Sequence, residues 1–219
     1  SPGQKRELNQ DTIFHQVSQT NTGDYVGLFL VCDGLGSHHG GEVASRKAVD
    51  TITHQLSHLF TTDKALSNEE QTRYSYVTLV QDILSAVEQA NQEIFDYAQA
   101  QQDKIPQMGT TLTMAVIYQN LAHIVNMGDG RAYLWRQNEV RQITHDHSMT
   151  AELAKEGVIK AEEAADHPRR NVLVRALGVY NQAEPDVFDL KLAPGDRLLL
   201  CSNGLWKAFR FDNELSRWL

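Results

Sequence analysis

The apolar residues change their spacing near residue 109, and this limits the possible folds more than any other feature of the chain. In residues 41 to 60, GEVASRKAVDTITHQLSHLF, Val49, Ile52, Leu56 and Leu59 recur at helical spacing and predict an amphipathic helix. Residues 74 to 99 predict a second helix, with Val77, Val80, Leu84, Val87, Ile94 and Tyr97 or Ala98 on one stripe. The polar stretch TTDKALSNEEQTR between them reads as a loop. From residue 109 the period becomes strand-like in GTTLTMAVIY, LAHIVNMGDG, RAYLWRQ and EVRQITH. The short polar breaks QN and DG suit hairpin turns, so an antiparallel meander is expected.

Residues 149 to 171, MTAELAKEGVIKAEEAADHPRRN, predict two short helices split by Gly157 and ended near Pro168. VFDLKLAPGDRLLLCSNG returns to strands, with Pro194 and Gly195 in the order of a type II turn. Helices grouped against antiparallel strands give an α+β fold, whereas a parallel doubly wound sheet would alternate them with single strands. No internal linker divides residues 1 to 219, so a single domain is expected.

The chain has 219 residues, 41% of them apolar, which is enough for a substantial core. Its apolar runs are strand-sized and interrupted by charge, and SPGQKRELNQ carries no apolar leader, so no membrane-inserted segment is predicted and the cytoplasm is the default. A net charge of −8 with mixed signs argues against a nucleic-acid binder and reads as surface solubility. Cys32 and Cys201 each sit in an apolar strand-like run and are expected to be reduced, buried and unpaired.

Four charged or polar pairs fall at strand ends or tight turns, where a sheet can aim them at a common point: Arg6 with Asp11, Asp33 with Gly34, Asp129 with Arg131, and Asn203 with Gly204. Taken singly, Asp-Gly at a strand end is an ordinary turn. Taken together, carboxylate and carbonyl oxygens are hard donors that favour Mg²⁺ or Mn²⁺ over zinc. Two such ions could activate a water and neutralise a phosphoryl group, with Arg6 clamping phosphate oxygens.

RELNQD, LFLVCDGLGSHHGGEVAS, MGTTLTMAVI, VNMGDGRAYLWRQNEVRQITHDHS, HPRRNVLVRALG and GDRLLLCSNGLW resemble, in order, the motifs of the bacterial metal-dependent Ser/Thr protein phosphatases of the type 2C (PPM) family. The resemblance covers nearly the whole chain. It implies a four-layer αββα sandwich of two antiparallel sheets flanked by helices, with residues 149 to 171 as a flap beside the site. It implies two core Mn²⁺ or Mg²⁺ ions and a weaker third, and phosphomonoester hydrolysis by metal-bound hydroxide without a phosphoenzyme. Asp33 would bridge the core ions, the Gly34 carbonyl would bind the first, and Asp129 would help hold the third. Arg6 would bind phosphate and Asp11 would order water. The implied partners are phosphorylated Ser/Thr proteins and a cognate Ser/Thr kinase or its substrates, with the phosphatase a monomer.

The sequence also departs from the family pattern. Asn203 stands where the family has an aspartate ligand of the second metal, Gly130 where serine is usual, and Ser37 where glycine is usual. Family members continue past NELSRWL to a strand bearing DN, so the chain reads as truncated at its C-terminus. Losing a carboxylate that touches the metal should cost at least the roughly 10- to 100-fold typical of losing a group that only supports a metal ligand, so weak activity is expected. The alternative is a pseudophosphatase that binds phosphoproteins without chemistry. Asn203 itself reads as natural degeneration, an engineered change, or a site that deamidates, since glycine follows it.

The other polar residues have plainer readings. His38 and His39 read as an exposed loop pair, His145 and His147 as local hydrogen-bonding groups, and Tyr133 and Trp135 as packing residues. Glu42 favours the dipole of the first helix. Arg169 and Arg170 read equally as a solvated pair or a phosphoprotein contact.

Overall fold

The computed structural model describes residues 9–19, 23–36, 40–60, 76–101, 103 and 108–208. Strands β1 (Asp11–Gln19) and β2 (Tyr25–Gly36) lead into helices α1 (Gly40–Gln55) and α2 (Tyr76–Ala100). Strands β3 (Met108–Thr110), β4 (Leu112–Tyr118), β5 (Leu121–Met127), β6 (Arg131–Arg136) and β7 (Glu139–Gln142) follow. After α3 (Met149–Lys155) come β8 (Asp186–Lys191), β9 (Arg197–Cys201) and the short α4 (Asn203–Trp206).

These strands make two antiparallel sheets, as an α+β sandwich requires. One has six strands in the order β1-β2-β4-β5-β8, with β3 also paired to β2, and the other runs β7-β6-β9. Alternation along β2 sends Leu28, Leu30 and Cys32 into the core shared with α1 and α2. The inter-sheet core is built from Ala115, Ala122 and Ile124 on the large sheet and Ala132 and Leu134 on the small one. Helices, large sheet and small sheet therefore lie in that order.

The expected single meander is not formed. QN closes the β4–β5 hairpin, where Tyr118 pairs with Leu121. The DG break instead carries the chain from one sheet to the other, because β5 pairs with β8 and β6 with β9. Gln137 and Asn138 form the next hairpin turn, both at positive φ (52° and 65°) as a type I′ turn requires. Gly195, at φ +91°, and the Asp196 N–H to Ala193 carbonyl bond of 3.1 Å fit the expected type II turn.

The first helix packs through Val49, Ile52 and Leu56, then tightens into a 3₁₀ turn over Ser57–Phe60. The stripe expected for the second helix is partly corrected. Val87 and Ile94 are buried, but Leu84 is 37% exposed, and the buried face runs through Leu79, Ile83, Ala86 and Ala90. Ala86 and Ala90 were overlooked because their small side chains add little to an apolar stripe, yet they let the helix lie close. The flap segment forms α3 and a 3₁₀ helix over Ala161–Asp166, with Gly157 between them at φ +73°. Among the described residues, no helix is long and apolar enough to cross a membrane.

Candidate active site

Asp33 owes its position to its backbone. Its N–H donates to Thr111 Oγ1 (2.9 Å), and its carbonyl accepts from the Thr111 N–H (2.9 Å) and from Thr110 Oγ1 (3.1 Å). The Gly34 N–H donates to the Gln10 carbonyl (3.1 Å). A Cβ on Gly34 would fall on the Gly41 carbonyl, so this glycine is what lets the start of α1 approach the strand. The result is a buried carboxylate, 6% exposed, on a backbone tied by these hydrogen bonds.

Asp11 is the register partner of Asp33 across the β1–β2 pair, so both side chains leave the same face of the large sheet. The neighbouring Thr12 hydroxyl meets Ser45 of α1 on the opposite face (2.8 Å), which turns Asp11 and Asp33 toward the small sheet. There Ser202 Oγ donates to Asp11 Oδ2 at 3.3 Å.

Asp129 sits in the crossover between β5 and β6 and is 3% exposed. Its carboxylate accepts from Asn203 Nδ2 (3.3 Å to Oδ1, 3.2 Å to Oδ2) and from Lys207 Nζ (3.0 Å to Oδ2). Its backbone carbonyl accepts from Trp206 Nε1 at 2.8 Å. The sequence pairing of Asp129 with Arg131 is corrected: Arg131 makes a two-pronged bond to Asp146 (2.8 and 2.7 Å) and stacks on the Trp206 ring at 3.5 Å. The strand sends Arg131 to the outer face of the small sheet, beside Tyr133, whose hydroxyl accepts from it at 3.0 Å.

His147 braces this crossover from the flap side. Its Nδ1 accepts from the Gly128 N–H (3.3 Å), and its Nε2 lies 3.1 Å from Asp186 Oδ2. Burial acts to raise the Asp186 carboxyl pKa, but the bonds from His147 and from Arg175 (2.8 Å) outweigh it and hold that carboxyl below its usual range. His145 makes an edge contact with the Phe188 ring. His147 is thus a hydrogen-bonding group, as the sequence suggested, whereas the His145 ring packs against Phe188. Cys32 and Cys201 are buried free thiols, also as expected.

The structure therefore brings Asp11, Asp33 and the β9 exit together, and joins Asn203 to Asp129. Arg6, His38 and His39 lie outside the described residues. Trp206 and Lys207 were missed in the sequence, although Lys207 stands four residues after Asn203 at the end of a helical turn, spacing that places both on one face.

The two ends of the site differ in their fitness for a divalent ion. At the Asp33 end, two carboxylates and the Gly34 carbonyl are hard oxygen donors that suit Mg²⁺ or Mn²⁺. At the Asp129 end the donor set does not fit, since the one carboxylate already holds an ammonium and an amide N–H. Among the described residues, no three His, Cys, Asp or Glu side chains converge to hold a metal.

Fold and site together define a mixed α+β protein of two packed antiparallel sheets with an acidic mouth between them. The family model described as Protein phosphatase 2C matches residues 3–219. The serine/threonine phosphatase Stp of Listeria monocytogenes is 38% identical over 178 residues, which is 81% of this chain and 66% of that protein. The chain thus spans just under two thirds of that relative's length. The solved serine/threonine phosphatase of S. agalactiae superposes with a TM-score of 0.79 at 31% identity, covering 98% of this chain and 81% of that one. A PstP catalytic domain in complex with two manganese ions superposes with a TM-score of 0.73 at 29% identity, covering 97% and 78%. The chain belongs to the protein phosphatase 2C family.

Proposed function

We propose that this chain forms the greater part of the catalytic domain of a metal-dependent Ser/Thr phosphoprotein phosphatase. The observation that carries this reading is the pairing of buried Asp33 with Asp11 at the mouth between the sheets. Asp33 and the Gly34 carbonyl would hold Mn²⁺ or Mg²⁺, and a bound ion would supply an activated water and charge neutralisation for the phosphoryl group. Asp11, which accepts from Ser202, would orient that water by accepting its hydrogen bond. Arg6 would grip the phosphate oxygens with paired N–H donors. The flap, whose last residue Asn171 accepts from Lys207 beside Asp129 (3.3 Å), would border the approach to this mouth and limit which phosphoproteins reach it.

The related phosphatases support phosphorylated Ser/Thr proteins as substrates, and the two manganese ions of the PstP complex support a divalent ion as cofactor. A cognate kinase or its substrates as partners, action as a monomer, and a cytoplasmic place of action belong to the same proposal. The pseudophosphatase alternative is the weaker reading, since a pure binding module has no use for a rigidly held carboxylate pair. The test is hydrolysis of p-nitrophenyl phosphate and a phosphoserine peptide by the full chain with and without Mn²⁺. Mn²⁺-dependent release of phosphate that disappears in Asp33→Asn is expected, and metal-independent release, or none, would refute the reading.

A further inference from the structure

We infer that Lys207 is the resident counter-cation of Asp129, so that an ammonium takes the place of a divalent ion at this carboxylate and ion binding is confined to the Asp33 side. The inference rests on the phosphatase reading and concerns the charge arrangement of the same site.

A carboxylate as deeply buried as Asp129 needs a compensating charge or a full set of hydrogen-bond donors. Asp129 has both. Lys207 Nζ stands 3.0 Å from Oδ2, the Asn203 amide donates to both oxygens, and the backbone carbonyl is taken by Trp206.

Lys207 keeps a third of its side chain exposed, but its backbone and its ammonium are both fixed by neighbours. Its backbone N–H closes α4 by bonding to the Asn203 and Leu205 carbonyls. Its ammonium lies 5.1 Å from the centre of the Trp206 ring and also donates to Asn171 Oδ1 at 3.3 Å. The same group thus ties the crossover to the end of the flap. A second cation at this carboxylate would lie close to the Lys207 ammonium and be repelled by it.

This arrangement also gives residue 203 a physical reason to be an amide. Asn203 donates a hydrogen bond to Asp129, which an ionised aspartate cannot do. An aspartate at 203 would place two carboxylates around one ammonium and restore a net negative charge that attracts an ion.

Binding of Mn²⁺, followed by the electron paramagnetic resonance of the free ion, tests the assignment with no need for activity. Wild type, Asp129→Asn, Lys207→Gln and the double variant are titrated in parallel. The Mn²⁺ isotherm of Asp129→Asn should match wild type. Lys207→Gln should gain an additional binding event, or tighten one by about 10-fold or more, and the double variant should lose that gain. Loss of a bound ion in Asp129→Asn, or no gain in Lys207→Gln, would overturn the inference. If Lys207→Gln does not fold, the comparison of wild type with Asp129→Asn decides the matter. Asp33→Asn in the same titration reads the phosphatase proposal separately: retention of all Mn²⁺ there would count against that proposal while leaving the Asp129 comparison intact.

Discussion

Ser202 Oγ and Asp11 Oδ2, 191 positions apart in sequence, meet at 3.3 Å and tie the exit of β9 to the first residue of β1. The contact joins the two sheets at the mouth where Asp33 lies, because Asp11 is the register partner of Asp33. Geometry at this mouth therefore depends on residues from both ends of the described chain.

The two carboxylates should not contribute equally. Asp33→Asn removes the proposed ion-holding charge while keeping the backbone bonds to Thr110 and Thr111, so the fold should persist. Turnover of p-nitrophenyl phosphate with Mn²⁺ should fall by about 100-fold or more, against about 10- to 100-fold for Asp11→Asn, which acts through bound water. Equal, small losses in both would sink the division of roles, with circular dichroism confirming that the variants are folded.

Asp196 predicts an acid-sensitive tether at the β8–β9 turn. The Arg136 guanidinium bonds it at 2.9 and 2.6 Å and the Ala193 N–H at 2.8 Å, and these hold its carboxyl at about 2, below the ordinary 3.8. A depressed carboxyl stabilises the fold above its ordinary value and loses that contribution as pH falls toward its folded value. The stability gap between wild type and Asp196→Asn should thus be full at pH 6 and shrink between about pH 4 and pH 2. Chemical denaturation across that range measures it, and a gap that widens on acidification would contradict the tether.

Neither thiol should react in the native protein. Burial, aided by the charge of Asp33, pushes Cys32 up to about 12, and burial pushes Cys201 to about 11, so almost no thiolate exists at pH 8. Iodoacetamide should label neither cysteine in buffer and both in denaturant, as read by intact mass. Rapid labelling of the native chain would show that one of these strands opens.

The sequence made parts of this structure legible and hid others for identifiable reasons. The helix through Val49, Ile52 and Leu56 and the strands around Cys32 and Cys201 follow from local apolar spacing, which needs no partner to be read. The placing of β5 and β6 in different sheets was not legible, since a two-residue polar break looks the same whether the chain folds back or crosses over. Asp33 and Asp11 were found as strand-end acids. The bond between Lys207 and Asp129 was not, because it joins residues 78 positions apart and depends on how β9 meets the crossover. Arg131 misled for a similar reason: adjacency to Asp129 in sequence places it on the strand beyond the crossover, where it faces Asp146.

Gly130 gives the sharpest test of that crossover. Serine is usual in the family at this position, but a Cβ here would collide with Thr113 Oγ1 and lie 3.4 Å from the Cys201 carbonyl. Thr113 cannot readily yield, because it is fully buried and its hydroxyl donates to Asn126 Oδ1 at 2.8 Å. Gly130→Ser should therefore destabilise by about 1–3 kcal/mol through overpacking, a fall in Tm of roughly 2–12 °C for a chain of this size. Thr113→Ala alone should also cost about 1–3 kcal/mol, since it removes the donor to a buried amide oxygen. Combined, the alanine clears the space that the serine needs, so the double variant should lose less stability than the sum of the two single changes. Thermal denaturation of the four proteins measures this coupling. Strict additivity would mean that residue 130 and Thr113 do not compete for the same volume, and the close approach of β4 to the crossover would have to be abandoned.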